Sequence, residues 1–134
     1  SSFLCFCLFD FFYGPLFNYS IANTPQPVSG VLAFSQLGSG ELHTCALTSG
    51  GVAYCWGYNL FGQLGNGNSG FGTNANAPQL VSGVLAFRQI SPSGRHTCAL
   101  TSGGVAYCWG RNQFGQLGNG NNTDANTPQP VVMP

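Results

Sequence analysis

Charge is what this sequence has least of. Only 4% of its 134 residues are charged, three basic and three acidic, for a formal net charge of zero. An ordinary soluble domain carries about a quarter. Such a chain has no basic footprint with which to track phosphates, so neither nucleic acid nor a membrane surface is expected as a partner. The only carboxylate side chains are Asp10, Glu41 and Asp124. No stretch keeps a helical period, which argues against a helical bundle. The apolar run from Ser1 to Phe17 is too short for a membrane span and is interrupted by Asp10. Scarcity of charge does not mean disorder here, because hydrophobic residues make up 43% of the chain and aromatic residues 13%. Glycine (20) and proline (8) are plentiful. Aromatics with many turn-formers read as β-structure with frequent tight turns.

The chain repeats itself. His43 to Gly57 (HTCALTSGGVAYCWG) recurs unchanged as His96 to Gly110, and Phe61 to Asn68 recurs as Phe114 to Asn121 at the same offset. Upstream, Val28 to Phe34 recurs as Val81 to Phe87 without a change. The stretch from Ser69 to Asn76 is longer than its counterpart and absorbs the difference in repeat length. Residues 31–83 and 84–134 are therefore expected to be two equivalent units of about 50 residues.

Residues 1–30 fit the same register as the degraded end of a preceding unit. Leu4 then matches Val105, Phe6 matches Tyr107, Cys7 matches Cys108, Leu16 matches Leu117 and Asn18 matches Asn119. Phe3, Phe9, Phe17 and Tyr19 stand where the good copy has Gly104, Gly110, Gly118 and Gly120. Bulky residues resist the positive φ that glycine permits, so poor folding is expected there, as in a damaged or misread gene end. The rival is a signal peptide ending at the small-x-small triplet Ser20-Ile21-Ala22, against which stand the missing basic residue and Asp10.

Within each repeat the pattern predicts four short strands. They are Leu32 to Leu37, His43 to Thr48, Val52 to Trp56 and Gln79 to Val81, then Leu85 to Ile90, His96 to Thr101, Val105 to Trp109 and Gln129 to Val132. Four strands per repeat of this length is the spacing of a β-propeller blade. Proline beside the fourth strand suits an outer edge. A three-residue hairpin loop, Ser49-Gly50-Gly51, would oppose Cys45 to Cys55 and, in the second copy, Cys98 to Cys108, at a separation a disulfide accepts. A two-residue loop would oppose Cys45 to Tyr54 instead. Disulfides, reduced core thiols and metal ligation remain open on this ground; His43, Cys45 and Cys55 share a strand face but leave a zinc site one ligand short.

His-Thr-Cys-Ala-Leu-Thr-x-Gly-Gly-x-x-Tyr-Cys-Trp-Gly followed by Asn-x-x-Gly-Gln-Leu-Gly resembles the regulator-of-chromosome-condensation repeat. The resemblance covers residues 24–134 well and 1–23 weakly. It implies an all-β fold of four-stranded antiparallel propeller blades, here about two and a half of a seven-bladed ring. The paired cysteines look like the bacterial, extracellular or cell-surface version of the repeat. A fragment of a longer ring, or a chain that self-associates, is then expected, because each blade buries its faces against neighbours. The family's founder is an exchange factor for a small GTPase, which gives one functional alternative. A carbohydrate-binding propeller using Tyr58 and Phe71 is another. The preferred expectation is a non-enzymatic module that binds a protein partner and needs no cofactor.

The remaining motifs point the same way. His43 and His96 recur in each copy without a nucleophile or carboxylate at motif spacing, as braces do. Gly62 to Gly67 has no following helix and no Lys-Ser/Thr, so it reads as turns and not as a phosphate loop. Asn18-Tyr19-Ser20 and Asn121-Asn122-Thr123 match the glycosylation triplet. Near-identical repeats that differ locally differ where loops meet partners. On that basis Leu42, Tyr58, Leu60, Arg95, Arg111 and Gln113 are the expected partner-facing positions.

Overall fold

The computed structural model describes residues 4–5, 24–30, 33–83 and 85–134. Most of the expected degraded unit, the signal-like triplet and Asn18-Tyr19-Ser20 lie outside those residues. Two four-stranded antiparallel sheets dominate. The first comprises β3 (Gln36–Ser39), β4 (His43–Leu47), β5 (Ala53–Gly57) and β6 (Ala75–Leu80), in that order. The second comprises β7 (Phe87–Ser93), β8 (His96–Thr101), β9 (Ala106–Gly110) and β10 (Ala125–Pro130), also in chain order. A two-stranded ribbon pairs β1 (Leu4–Cys5) with β2 (Gln26–Pro27), Cys5 opposite Gln26. The corresponding glutamines, Gln79 and Gln129, lie opposite Cys55 and Cys108, so the ladder gives Cys5 the position expected of Cys7, two residues from the register read in the sequence.

The central hairpin adopts the three-residue loop. Thr48 N–H donates to Val52 O at 3.0 Å, and Gly51 N–H returns to Thr48 O at 3.0 Å. Thr48 Oγ1 also accepts from Val52 N–H at 3.2 Å, and Thr101 repeats this with Val105 at 3.1 Å. Gly51 has a φ of +82° and sits against the next blade, where a Cβ would come within 2.7 Å of Phe87 O. The loop sets the register Leu47↔Ala53, Ala46↔Tyr54, Cys45↔Cys55, and β8–β9 repeats it with Cys98↔Cys108.

Two strand expectations shift. The first strand of each blade starts and ends later than expected, because its ladder partner fixes it: Gln36↔Leu47 to Ser39↔Thr44 through Gly38 in one blade, and Phe87↔Thr101 to Ser93↔His96 through Pro92 in the other. Phe34, expected inside that strand, instead folds onto Trp56 with ring centroids 5.8 Å apart. The fourth strand starts earlier, at Ala75 and Ala125, and contains its proline. A register shift between Cys55 and Gly57, and a matching irregularity in β10, place Pro78 and Pro128 in a bulged edge strand, where a missing N–H costs no ladder bond.

The blades pack face to face. One buried cluster joins Cys45, Leu47, Ala53, Cys55, Leu64 and Val81 of the first blade to Phe87, Ile90, Ala99 and Trp109 of the second. A smaller cluster of Phe34, Ala46 and Trp56 covers the opposite face of the first blade. Loops gather at the end of the sheets opposite the hairpin tips.

Candidate functional site

The long loop after β5 is built from its own amides. Buried Asn59 accepts from Leu64 N–H through Oδ1 at 3.0 Å and donates through Nδ2 to Asn68 O at 3.0 Å. Asn112 does the same in the second blade, accepting from Leu117 N–H at 3.0 Å and donating to Asn121 O at 2.9 Å. The loop entrance is closed by Asn74 Oδ1 in one blade and Asp124 Oδ1 in the other, each accepting from the N–H of that buried asparagine. Gly62, Gly65 and Gly67, which resembled a phosphate loop, serve turns at φ of +82°, +69° and +90°. Asn121 of the second glycosylation triplet spends its carboxamide inside the loop, where Oδ1 accepts from Thr123 N–H at 3.0 Å.

That loop also latches the blades together. Trp109 Nε1–H donates to Gln63 O at 3.0 Å, and Thr97 Oγ1–H donates to the same oxygen at 3.0 Å. Thr97 has one hydroxyl proton, and Gln63 O takes it. His43 Nε2 therefore donates to Thr97 Oγ1 at 2.8 Å, which assigns the Nε2–H tautomer and leaves buried Nδ1 without a partner. Burial, reinforced by the nearby His96, lowers the His43 pKa to about 4. Burial also lowers that of half-buried His96. His43 braces the interface between the blades, turned toward Thr97 and away from solvent. No group of three metal-ligating side chains assembles among the described residues. Of the trio the sequence left open, His43 is bonded to Thr97, and Cys45 Sγ lies 2.12 Å from Cys55 Sγ, at disulfide distance. Cys98 and Cys108 are likewise 2.09 Å apart.

The exposed loop face carries a second, different cluster. Phe61 receives Arg111 at 4.9 Å and Arg95 at 5.5 Å from its ring centroid, both from the other blade. Arg95 Nε also reaches Glu41 Oε2 at 3.4 Å, a pair that is 37% and 53% exposed and so contributes little to stability by itself. Arg111 is hydrogen-bonded to Gln113. Tyr58 meets Phe61 edge-on with centroids 6.5 Å apart. Beyond Phe61 a polar cavity of about 330 Å³ is lined by side chains including Asn119, Thr123, Asp124, Asn126 and Gln129.

Four of the six expected partner-facing positions thus lie in or against one cluster: Tyr58, Arg95, Arg111 and Gln113. Leu42 joins it through the backbone, its carbonyl accepting from Tyr58 N–H at 2.9 Å. Leu60 is half-buried, and its carbonyl accepts from Gly70 N–H at 3.0 Å, inside its own loop. Phe71 stands alone and highly exposed at 84%. Two members were missed. Glu41 faces Gly94 in the repeat alignment, so the difference between copies would have found it. Phe61 is identical in both copies, and no difference signals it.

The regulator of chromosome condensation (RCC1) repeat matches residues 34–63 and 87–116 in one form, and 50–100 and 103–134 in another. The chain belongs to the RCC1-repeat family. It is 38% identical over 95 residues to the probable E3 ubiquitin-protein ligase HERC4 of Homo sapiens, covering 69% of this chain and 9% of that protein. It is 37% identical over 123 residues to the ultraviolet-B receptor UVR8 of Arabidopsis thaliana, covering 87% of this chain and 26% of that one. Among solved structures, yeast RCC1 (Prp20) bound to Kap60 superposes with a TM-score of 0.76 at 18% identity, covering 87% of this chain and 29% of that chain. This chain therefore spans less than a third of each. The two sheets are RCC1-type propeller blades.

Proposed function

We propose that this chain is the interaction-bearing part of a non-catalytic RCC1-repeat propeller whose blade-loop face binds a protein partner. The observation that carries this reading is the loop-face cluster around Phe61, where positions that differ between otherwise identical repeats converge across two blades. Buried repeat-invariant residues account for the packing, which leaves the variable ones for recognition. The Kap60-bound relative supports the general idea that such propellers bind proteins. The remaining blades would come from a longer chain or from self-association.

A capture experiment tests it. Partners retained by the wild-type chain should be lost when Tyr58→Ser and Arg95→Gln alter the loop face, and kept when Val52→Ser alters a hairpin tip. Equal retention by both variants would overturn the reading. A second reading, carbohydrate binding, is favoured by the polar cavity against Phe61. A glycan array distinguishes it, since glycan signal without protein capture selects the second. No observation on this chain favours the exchange-factor alternative.

The two cysteine pairs at disulfide distance support an oxidising compartment, and we place the protein outside the cell or on its surface. The chain has six cysteines. Thiol titration of denatured, unreduced protein should find no more than two free; four or more would refute this assignment.

A further inference from the structure

We infer that the Arg95–Phe61–Arg111 cluster is a docking site for an acidic peptide segment, reading one aspartate or glutamate flanked by apolar residues. The inference rests on the protein-interaction reading and names the partner's chemistry. Two of the chain's three cations meet over a single ring. Stacking on the aromatic face orients each planar guanidinium while leaving N–H edges free for an acceptor. Glu41 is the only carboxylate paired with either arginine among the described residues, and it lies on Arg95. Beside the Phe61 ring, Arg111 meets the neutral carboxamide of Gln113 and no carboxylate among the described residues. Among the described residues the two guanidiniums thus share one ion-paired carboxylate, Glu41; Asp124, which lines the cavity beside Phe61, turns Oδ1 to Asn112 N–H and forms no ion pair with either.

One monovalent carboxylate pairs the remaining guanidinium. A dianionic phosphate would leave excess negative charge beside Glu41. The planar fork of Arg111 matches a carboxylate's two oxygens better than a point charge would. Half-buried Leu42 and Tyr58 border the cluster and give apolar neighbours of the carboxylate a surface. The geometry spans two blades, so only the folded, stacked pair presents it. That dependence separates it from nonspecific attraction by a basic tail.

The test is selection from a phage-displayed random heptapeptide library on the immobilised 134-residue chain at low ionic strength. Selected peptides should share Asp or Glu at one fixed position with apolar neighbours. Retention of a selected peptide should fall about tenfold or more in Arg111→Gln, in keeping with loss of a charge-assisted bond. It should fall less in Arg111→Lys, which keeps the charge without the fork. Phe61→Leu should weaken binding by releasing both guanidiniums. Arg88→Gln removes the same charge at the hairpin end and should leave retention unchanged. Thermal melts of each variant confirm folding. Selected peptides without a fixed acidic residue, or equal losses in Arg111→Gln and Arg88→Gln, would overturn the acidic-segment inference while leaving protein binding intact. A library yielding no enrichment would likewise overturn the acidic-segment inference, while protein binding is decided separately by the capture experiment.

Discussion

His43 shows how one buried side chain sets a pH limit. Its imidazole donates from Nε2 to Thr97 and holds an unpartnered Nδ1 in the interior. Protonation would put a charge, and a donor without an acceptor, between the blades. Its pKa is about 4 when folded against the ordinary 6.5. Between those values the unfolded chain takes up a proton that the native chain refuses, so stability is complete above about pH 6.5 and declines as pH falls toward 4. The loss from this residue is about 3 kcal/mol. His96 adds to it in the same direction. Urea midpoints measured from pH 7 to 4 should fall less steeply in His43→Gln than in wild type; equal slopes would refute the assignment. Gly65 gives a second residue-level test. It has a φ of +69°, and a Cβ there would lie 2.6 Å from Trp109 Nε1. Gly65→Ala should cost about 2–4 kcal/mol, combining strain with a clash against the indole. Gly120→Ala, at +88° with nothing within 4 Å, should cost only about 1 kcal/mol. Equal costs in denaturant unfolding would show that Gly65 matters for its backbone alone.

At the scale of elements, the β4–β5 and β8–β9 hairpins are the same sequence in different surroundings. Cys45 and Cys55 are fully buried against the second blade. Cys98 is half-buried, and Cys108 lies on the face that has no blade packed on it among the described residues. Attack by a thiolate needs access to a sulfur. A dithiol reductant should therefore open Cys98–Cys108 well before Cys45–Cys55, and alkylation followed by mass spectrometry should recover the former pair labelled first. Simultaneous labelling would mean that the blades separate before either bond opens. The hairpins were legible in the sequence, but their register was open between a two- and a three-residue loop; the Thr48–Val52 and Gly51–Thr48 backbone bonds select the three-residue loop that opposes the cysteines. The fourth strands were legible only in part. Ala75 to Pro78 has little β-propensity of its own and becomes a strand by pairing with β5 across a bulge. The Phe61 cluster was half legible: its arginines differ between copies, while its platform does not.

For the molecule as a whole, the decisive question is whether two blades fold as one body. The main apolar cluster belongs to neither blade alone, since six of its ten buried members come from the first and four from the second. Backbone bonds cross at both ends of the sheets. Phe87 N–H donates to Gly51 O at 2.9 Å near the hairpin tips, and Gly67 N–H donates to Asn126 O at 2.9 Å near the loops. In repeat proteins the interface between units outweighs the stability of each unit, so opening one blade strips the other of its partner surface. Leu64 is fully buried in that shared cluster. Truncating it to alanine removes packing worth about 2–5 kcal/mol. If the pair is one cooperative body, Leu64→Ala lowers hydrogen-exchange protection of β8 and β9 amides as much as that of β4 and β5, although the mutation lies in the first blade. Loss confined to β4 and β5 would show two independently stable blades, and the loop-face cluster that bridges them would then be only as permanent as their contact.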